Sequence, residues 1–163
     1  KVVAADAENP QAVAEHTRMV EMHHAHPQLF AAVVDNSLVV SDKFIYYRLS
    51  DVGAGGNHQI TARAAVLKLA EIHHHGITHG DPRVQNIIEL PGEVLNWIDL
   101  RALPAGSVSH DVEVVFDSIF HVGILSSSDI SQRVQNYLNG VRERKPLESL
   151  QMHIQDVYNS CKR

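Results

Sequence analysis

At 163 residues the chain is long enough for one packed domain or for two small lobes that share a cleft. A hydrophobic content of 44% against 20% charged residues is ordinary for a globular protein, and no apolar run is long enough to span a bilayer, so no membrane partner is expected. The net charge of −5, from 14 basic and 19 acidic residues, speaks against nucleic acid as a partner, because phosphate backbones are gripped by clustered Lys and Arg.

The only basic cluster, Arg142-Glu143-Arg144-Lys145, is interrupted by Glu143 and reads as a solvated helix end. Cys161 stands alone, so no internal disulfide can form, and a cytoplasmic or other reducing intracellular compartment is expected. The chain opens on Lys1 rather than Met, which fits a processed or fragment end from which a targeting signal could have been removed.

In chain order, Lys1–Ala5 reads as the tail of a strand. Asn9 is an N-cap candidate, and Pro10 stands at a first helical position. From Gln11 to about His24 the spacing predicts a helix, with Val13, Val20 and Met22 apolar and Ala12, Met19 and His23 beside them. Glu15 lies within it; on spacing alone it belongs to a solvated face. Leu29–Val34, Leu38–Val40 and Phe44–Tyr47, punctuated by Asx turns, predict a small antiparallel sheet. The Gly-rich stretch Ser50–Gly56 is the best linker, and a lobe boundary is placed there.

Ile60–His74 is the strongest helix by propensity, with Val66, Leu69, Ala70 and His73 on one stripe and Gly76 as its stop. Arg101–His110 reads as a connector, Asp111–Leu125 as an apolar helix, Asp129 to about Leu138 as another helix. Pro146 opens a last amphipathic helix with Leu147, Leu150, Ile154, Val157 and Tyr158 on one face.

The most informative stretch is His79-Gly80-Asp81-Pro82-Arg83-Val84-Gln85-Asn86, followed by Trp97-Ile98-Asp99-Leu100. Asn86 follows Asp81 by five residues and precedes Asp99 by thirteen. Between them, Ile87–Leu90 and Val94–Ile98 flank Pro91-Gly92-Glu93, which predicts a loop, a hairpin, and Asp99 delivered at the end of the second strand. Phosphoryl transfer asks for such groups: a carboxylate to take or orient a hydroxyl proton, and carboxylate and amide oxygens for a metal.

The segment His73–Asp111 resembles the catalytic core of the protein-kinase-like superfamily. His79-Gly80-Asp81 with Asn86 is similar to its catalytic loop, and Ile98-Asp99-Leu100 to its metal-holding motif. His73 resembles the histidine that ends the preceding helix, and Asp111 the aspartate that braces the catalytic loop. Upstream, Glu15 in its helix is similar to the regulatory-helix glutamate, whose strand lysine would be Lys1. Phe44–Arg48 and the following loop, with Leu49, resemble the last N-lobe strand and the hinge that binds adenine.

The resemblance implies an α+β, protein-kinase-like fold. Residues 1–50 would form a partial N-terminal β lobe with one helix, and residues 51–163 a mainly helical C-terminal lobe. It implies an ATP- and Mg²⁺-dependent phosphotransferase acting on a hydroxyl of a protein or small molecule. Asp81 would be the catalytic base, Arg83 a charge stabiliser, Asn86 and Asp99 the metal ligands, and Lys1, Glu15 and Leu49 the nucleotide contacts.

Three departures stand beside it. The chain holds no glycine-rich phosphate loop, Asp99-Leu100-Arg101 lacks the motif glycine, and Asp111 follows Asp99 by only twelve residues. The short connector and His79-Gly80-Asp81 resemble aminoglycoside and choline phosphotransferases, though Arg83 stands where protein kinases keep a lysine and aminoglycoside enzymes usually a histidine. The rival expectation is a pseudokinase-like binding or scaffold module. A third reading rests on the crowding of His23, His24, His26, His73, His74, His75 and His79. A zinc site usually recruits Cys, and none is near, so histidine-bound metal is not expected.

Overall fold

The computed structural model describes residues 2–4, 10–33, 39–40, 44–46, 58–90, 92, 94–121 and 128–162. The architecture is α+β and mostly helical. Strand β1 (Val2–Ala4) is followed by helix α1 (Pro10–Ala25), strands β2 (Val39–Val40) and β3 (Phe44–Tyr46), and helix α2 (His58–His74). A short 3₁₀ turn (Val84–Asn86) leads into β4 (Ile87–Leu90) and β5 (Val94–Trp97). Helices α3 (Val108–Phe120), α4 (Ser128–Arg142) and α5 (Leu147–Cys161) complete the chain.

The two sheets are both antiparallel. One has the order β1-β3-β2, with Val3 opposite Ile45 and Val40 also opposite Ile45. The other is the hairpin β4-β5, in which Ile87 faces Trp97 and Leu90 faces Val94. Of the expected run Leu29–Val34, residues 29–33 belong to none of the strands of the first sheet, and Val34 lies outside the described residues. Phe30 instead makes a parallel bridge to Trp97, with Trp97 N–H donating to Leu29 O at 2.7 Å and Ala31 N–H to Trp97 O at 3.0 Å. Six apolar residues in a row satisfy the hairpin and the core equally well, and burial of Leu29, Phe30 and Ala31 against β5 decides between them. The linker expected at Ser50–Gly56 lies outside the described residues, as do Asn9, Lys1 and Leu49.

The core runs through α2, α3, α4, α5 and the hairpin. Trp97, Tyr137, Phe30, Phe116 and Met19 are its largest fully buried side chains. The stripe expected on α2 is buried in full: Val66, Leu69, Ala70 and His73. On α5, Leu150, Ile154, Val157 and Tyr158 are buried as the helical spacing predicts. Helix α1 turns differently from its apolar pattern. Val13 is 37% exposed, while Ala12, Glu15, Arg18 and Met19 face inward. Two charged residues therefore sit on the buried side of α1, and their partners define the site described below. No helix among the described residues is long and apolar enough to cross a membrane.

Ile154 has no solvent exposure and lies at the centre of the α5 face that packs on α2 and α4. Truncating Ile154→Ala is expected to lower unfolding stability by roughly 2–5 kcal/mol in urea titrations, from lost apolar transfer and an unfilled cavity. A loss below about 1 kcal/mol would mean that this face is not packed as described.

Candidate active site

The site begins where α2 stops. Gly76 takes a left-handed φ of 72°, and its N–H donates to His73 O while Ile77 N–H reaches back to Ile72 O. This pair of bonds is a Schellman cap, which closes the last carbonyls and turns the chain sharply into the loop. Ile72 and Ile77, the two residues such a cap usually brings into contact, are both buried.

Three residues later, Gly80 has φ 89° and no room for a side chain. A Cβ there would stand 2.7 Å from Arg101 Cβ, 2.8 Å from Arg101 Cγ and 2.9 Å from Ala105 O. Glycine is required on both counts, conformation and space. The close approach brings the connector after β5 directly over the loop. Arg101 N–H donates to His79 O at 3.0 Å, fixing that contact from the other side.

Asp111, in the first turn of α3, holds the loop from below. Its Oδ2 accepts from His79 N–H at 2.7 Å and from His73 Nε2 at 3.1 Å, and its Oδ1 accepts from Gly80 N–H at 2.8 Å. His73 Nδ1 in turn bonds the Tyr137 hydroxyl of α4 at 2.7 Å. All four residues Asp111, His73, His79 and Tyr137 are buried. Burial, aided by the Asp111 charge, pushes the Tyr137 phenol well above its usual range. The side chain of Ser107 accepts from His110 N–H at 3.1 Å and so starts α3 three residues ahead of the expected Asp111.

His79 is pinned at both nitrogens. Asp81 N–H donates to Nδ1 at 3.2 Å, so the proton sits on Nε2, which donates to Ile98 O at 2.9 Å. The ring meets Trp97 edge-on at 5.0 Å between centroids. Full burial pulls its pKa down from 6.5 to about 4, against the opposing pull of Asp111 and the Ile98 bond.

Asp81 is the focus of the exposed side of the loop. Its Oδ1 accepts from Arg83 Nε at 2.8 Å, and its Oδ2 accepts from an Arg101 terminal nitrogen at 3.1 Å. Asn86 Nδ2 donates to Asp81 O at 2.8 Å and more weakly to Oδ2 at 3.4 Å. The other terminal nitrogen of Arg101 reaches Glu15 Oε1 of α1 at 3.3 Å. Burial disfavours the Arg101 guanidinium's charge, but its bonds and attractions to Asp81 and Glu15 outweigh that and raise its pKa. Arg18, one turn along α1 from Glu15, donates to the carbonyls of Arg101 and of Thr78. Its burial lowers its pKa, with Asp111 pulling the other way.

The structure thus gathers Asp81, Arg83, Asn86 and Glu15 into one connected cluster. Asp99 follows Ile98, whose N–H donates to Asn86 O at 2.8 Å, and it adopts a left-handed φ of 57° that aspartate tolerates better than most residues. Glu15, which spacing alone assigned to solvent, is 3% exposed, and its described cationic partner is Arg101. Lys1 and Leu49 lie outside the described residues. Sequence reasoning missed Arg101, Arg18 and Tyr137. For Arg101 a signal existed, since it stands where the resemblance would expect a glycine after Asp99-Leu100; for the other two the sequence offers none. Among the described residues, no group of three or more His, Cys, Asp or Glu side chains is placed to hold a metal ion.

Because His79 is neutral when folded, protonation favours the unfolded chain below pH 6.5. The stability this residue secures is complete above that pH and is lost progressively down to about pH 4, reaching about 3 kcal/mol at the lower limit. In His79→Gln, the fall in urea midpoint between pH 6.5 and 4 is expected to flatten; an unchanged fall would contradict the assignment. Gly80→Ala is expected to break the Arg101–Asp81 bond by displacing Arg101, read as loss of protection of the Arg101 side chain in NMR exchange.

No family model matches the sequence, and no curated protein matches it significantly.

Proposed function

We propose that the chain is an ATP- and Mg²⁺-dependent phosphotransferase of the protein-kinase-like class, transferring a phosphoryl group to a hydroxyl. The observation that carries this reading is the setting of Asp81. It is a loop carboxylate, 17% exposed, flanked by the guanidinium groups of Arg83 and Arg101 and tethered by Asn86. A base for a hydroxyl proton beside cations suited to phosphoryl oxygens is the minimum such chemistry requires.

In this reading Asp81 orients the acceptor hydroxyl and takes its proton as the new bond forms. Arg83, 63% exposed, and Arg101, 41% exposed, steady the charge of the transferring group. Glu15 orients Arg101 from α1, so the position of that helix bears on whether the site is assembled. Asn86 spends its Nδ2 donors on Asp81, which leaves its Oδ1 for a cation, and Asp99 supplies a carboxylate. Both are the hard oxygen donors that Mg²⁺ prefers, and the bound ion would neutralise charge on the phosphates. Lys1 and Leu49 are the proposed contacts to phosphates and adenine.

One observation favours a second reading, a kinase-like binding module without transfer. Arg101 engages both Glu15 and Asp81, leaving the proposed base in a closed ion-pair set. Single-turnover transfer from ATP by the whole chain separates the two. A phosphotransferase loses roughly 10²–10⁴-fold in rate in Asp81→Asn, the range for removing a general base. No transfer above the solution rate, or equal rates in the two proteins, would favour the binding module.

A further inference from the structure

A second cluster of cations lies away from Asp81, at the end where α2 and α4 stop and α5 begins. A cavity of about 450 Å³ there is lined by His73, His74, His75, Gly76, Val141, Arg144, Lys145 and Leu150. That volume falls within the range of small-molecule sites. Its walls combine an apolar floor, Val141 and Leu150, with four side chains that carry or can carry positive charge: Arg144, Lys145, His74 and His75. On sequence alone, Arg144 and Lys145 belong to a solvated helix end; the structure turns both toward a concave surface.

The backbone at Arg144 is unusual for its residue type. Arg144 N–H donates to Val141 O and Lys145 N–H to Gly140 O, the bond pair of a Schellman cap, with Arg144 at the left-handed position (φ 54°). Glycine is favoured there, and α2 uses Gly76 in its own cap facing the same cavity. An arginine at this position accepts backbone strain. Its guanidinium has no hydrogen-bond or ion-pair partner among the described residues. Among the described residues, Lys145 has one loose pair, to Glu143 at 3.6 Å, with both side chains largely exposed, an arrangement of little energetic weight.

Neutralising helix C-termini would explain cations here, but backbone amides already occupy most of the carbonyls in the last turns. Glu71 O accepts from His75, Ile72 O from His75 and Ile77, His73 O from Gly76, Gly140 O from Lys145 and Val141 O from Arg144. Among the described residues, the positive charge of Arg144 is therefore unpaired around a partly apolar hollow. His75 contributes little positive charge of its own, because burial first, and then neighbouring His26 and His74, lower its pKa against Glu71.

We propose that this cavity binds a small organic anion, a phosphate monoester or carboxylate with an apolar body. Its charged head sits between Arg144 and Lys145, and its body lies on Val141 and Leu150. The site is independent of the phosphotransferase reading and involves none of the residues around Asp81.

Phenyl phosphate titrated into the whole chain, followed by the thermal midpoint and by NMR shifts, tests it at constant ionic strength. Saturable stabilisation is expected, with shifts concentrated on the Val141 and Leu150 methyl groups. Benzoate is expected to bind more weakly and phenol not to stabilise. The variants are Arg144→Gly, which supplies the residue the cap favours and so keeps the fold, and Lys145→Gln, which keeps most of the aliphatic stem. Each is expected to weaken phenyl phosphate about tenfold or more, through loss of a charge-assisted hydrogen bond. Three results would overturn the proposal: no saturable shift up to about 10 mM ligand, unchanged affinity in both variants, or equal stabilisation by phenol.

Discussion

Asp111 has no solvent exposure, and its two oxygens accept from the His79 and Gly80 amides and from His73 Nε2. A buried carboxylate is tolerable only when its lone pairs are answered by donors, and here the donors come from two other elements. The same bonds satisfy two loop amides that α2's cap leaves unpaired and that sheet pairing cannot reach. The loop geometry therefore depends on Asp111, and Asp111 on the loop. His73 extends the dependence to Tyr137, so α2, α3 and α4 all bear on where Asp81 points.

Above this buried frame the chemistry is ionic and half-exposed. Arg101 spans from α1 to the loop because three constraints converge on it. Gly80 admits its Cβ and Cγ, His79 O accepts its N–H, and Arg18 donates to its carbonyl. A residue so fixed presents its guanidinium to Glu15 and Asp81 with little conformational freedom to lose, which is what makes such a contact specific. The proposed anion cavity at the α4–α5 turn shares His73 with the buried frame that holds the loop.

Much of the fold was legible where propensity, pattern and punctuation agree. Helix α2 and its stop at Gly76 follow from good helix formers and a left-handed glycine, and the hairpin β4-β5 follows from two apolar runs around Pro91-Gly92-Glu93. Spacing also marked Asp81, Asn86, Asp99 and Asp111, and the structure connects Asp81 with Asn86 and seats Asp111 beneath the loop. Legibility failed where tertiary contacts override local pattern. Leu29–Val34 has strand composition, yet Leu29, Phe30, Ala31 and Val33 are buried in the core and Phe30 bridges Trp97. Glu15 and Arg18 carry a polar signature on α1, and partners 60 to 86 residues away, invisible to local pattern, help make their burial acceptable. The α4 end extends past Leu138 to Arg142 because Arg144 assumes a glycine's conformation, for which composition holds no cue.

The central claim is that Arg101, oriented by Glu15, belongs to a phosphate-binding site built on Asp81. Calorimetric titration of Mg²⁺–ATP into the whole chain and into Arg101→Ala addresses it directly. Saturable binding that weakens about tenfold or more in the variant is the predicted result, the expected scale for losing one charge-assisted contact. No binding heat in the parent chain, or equal affinity in both proteins, would contradict it.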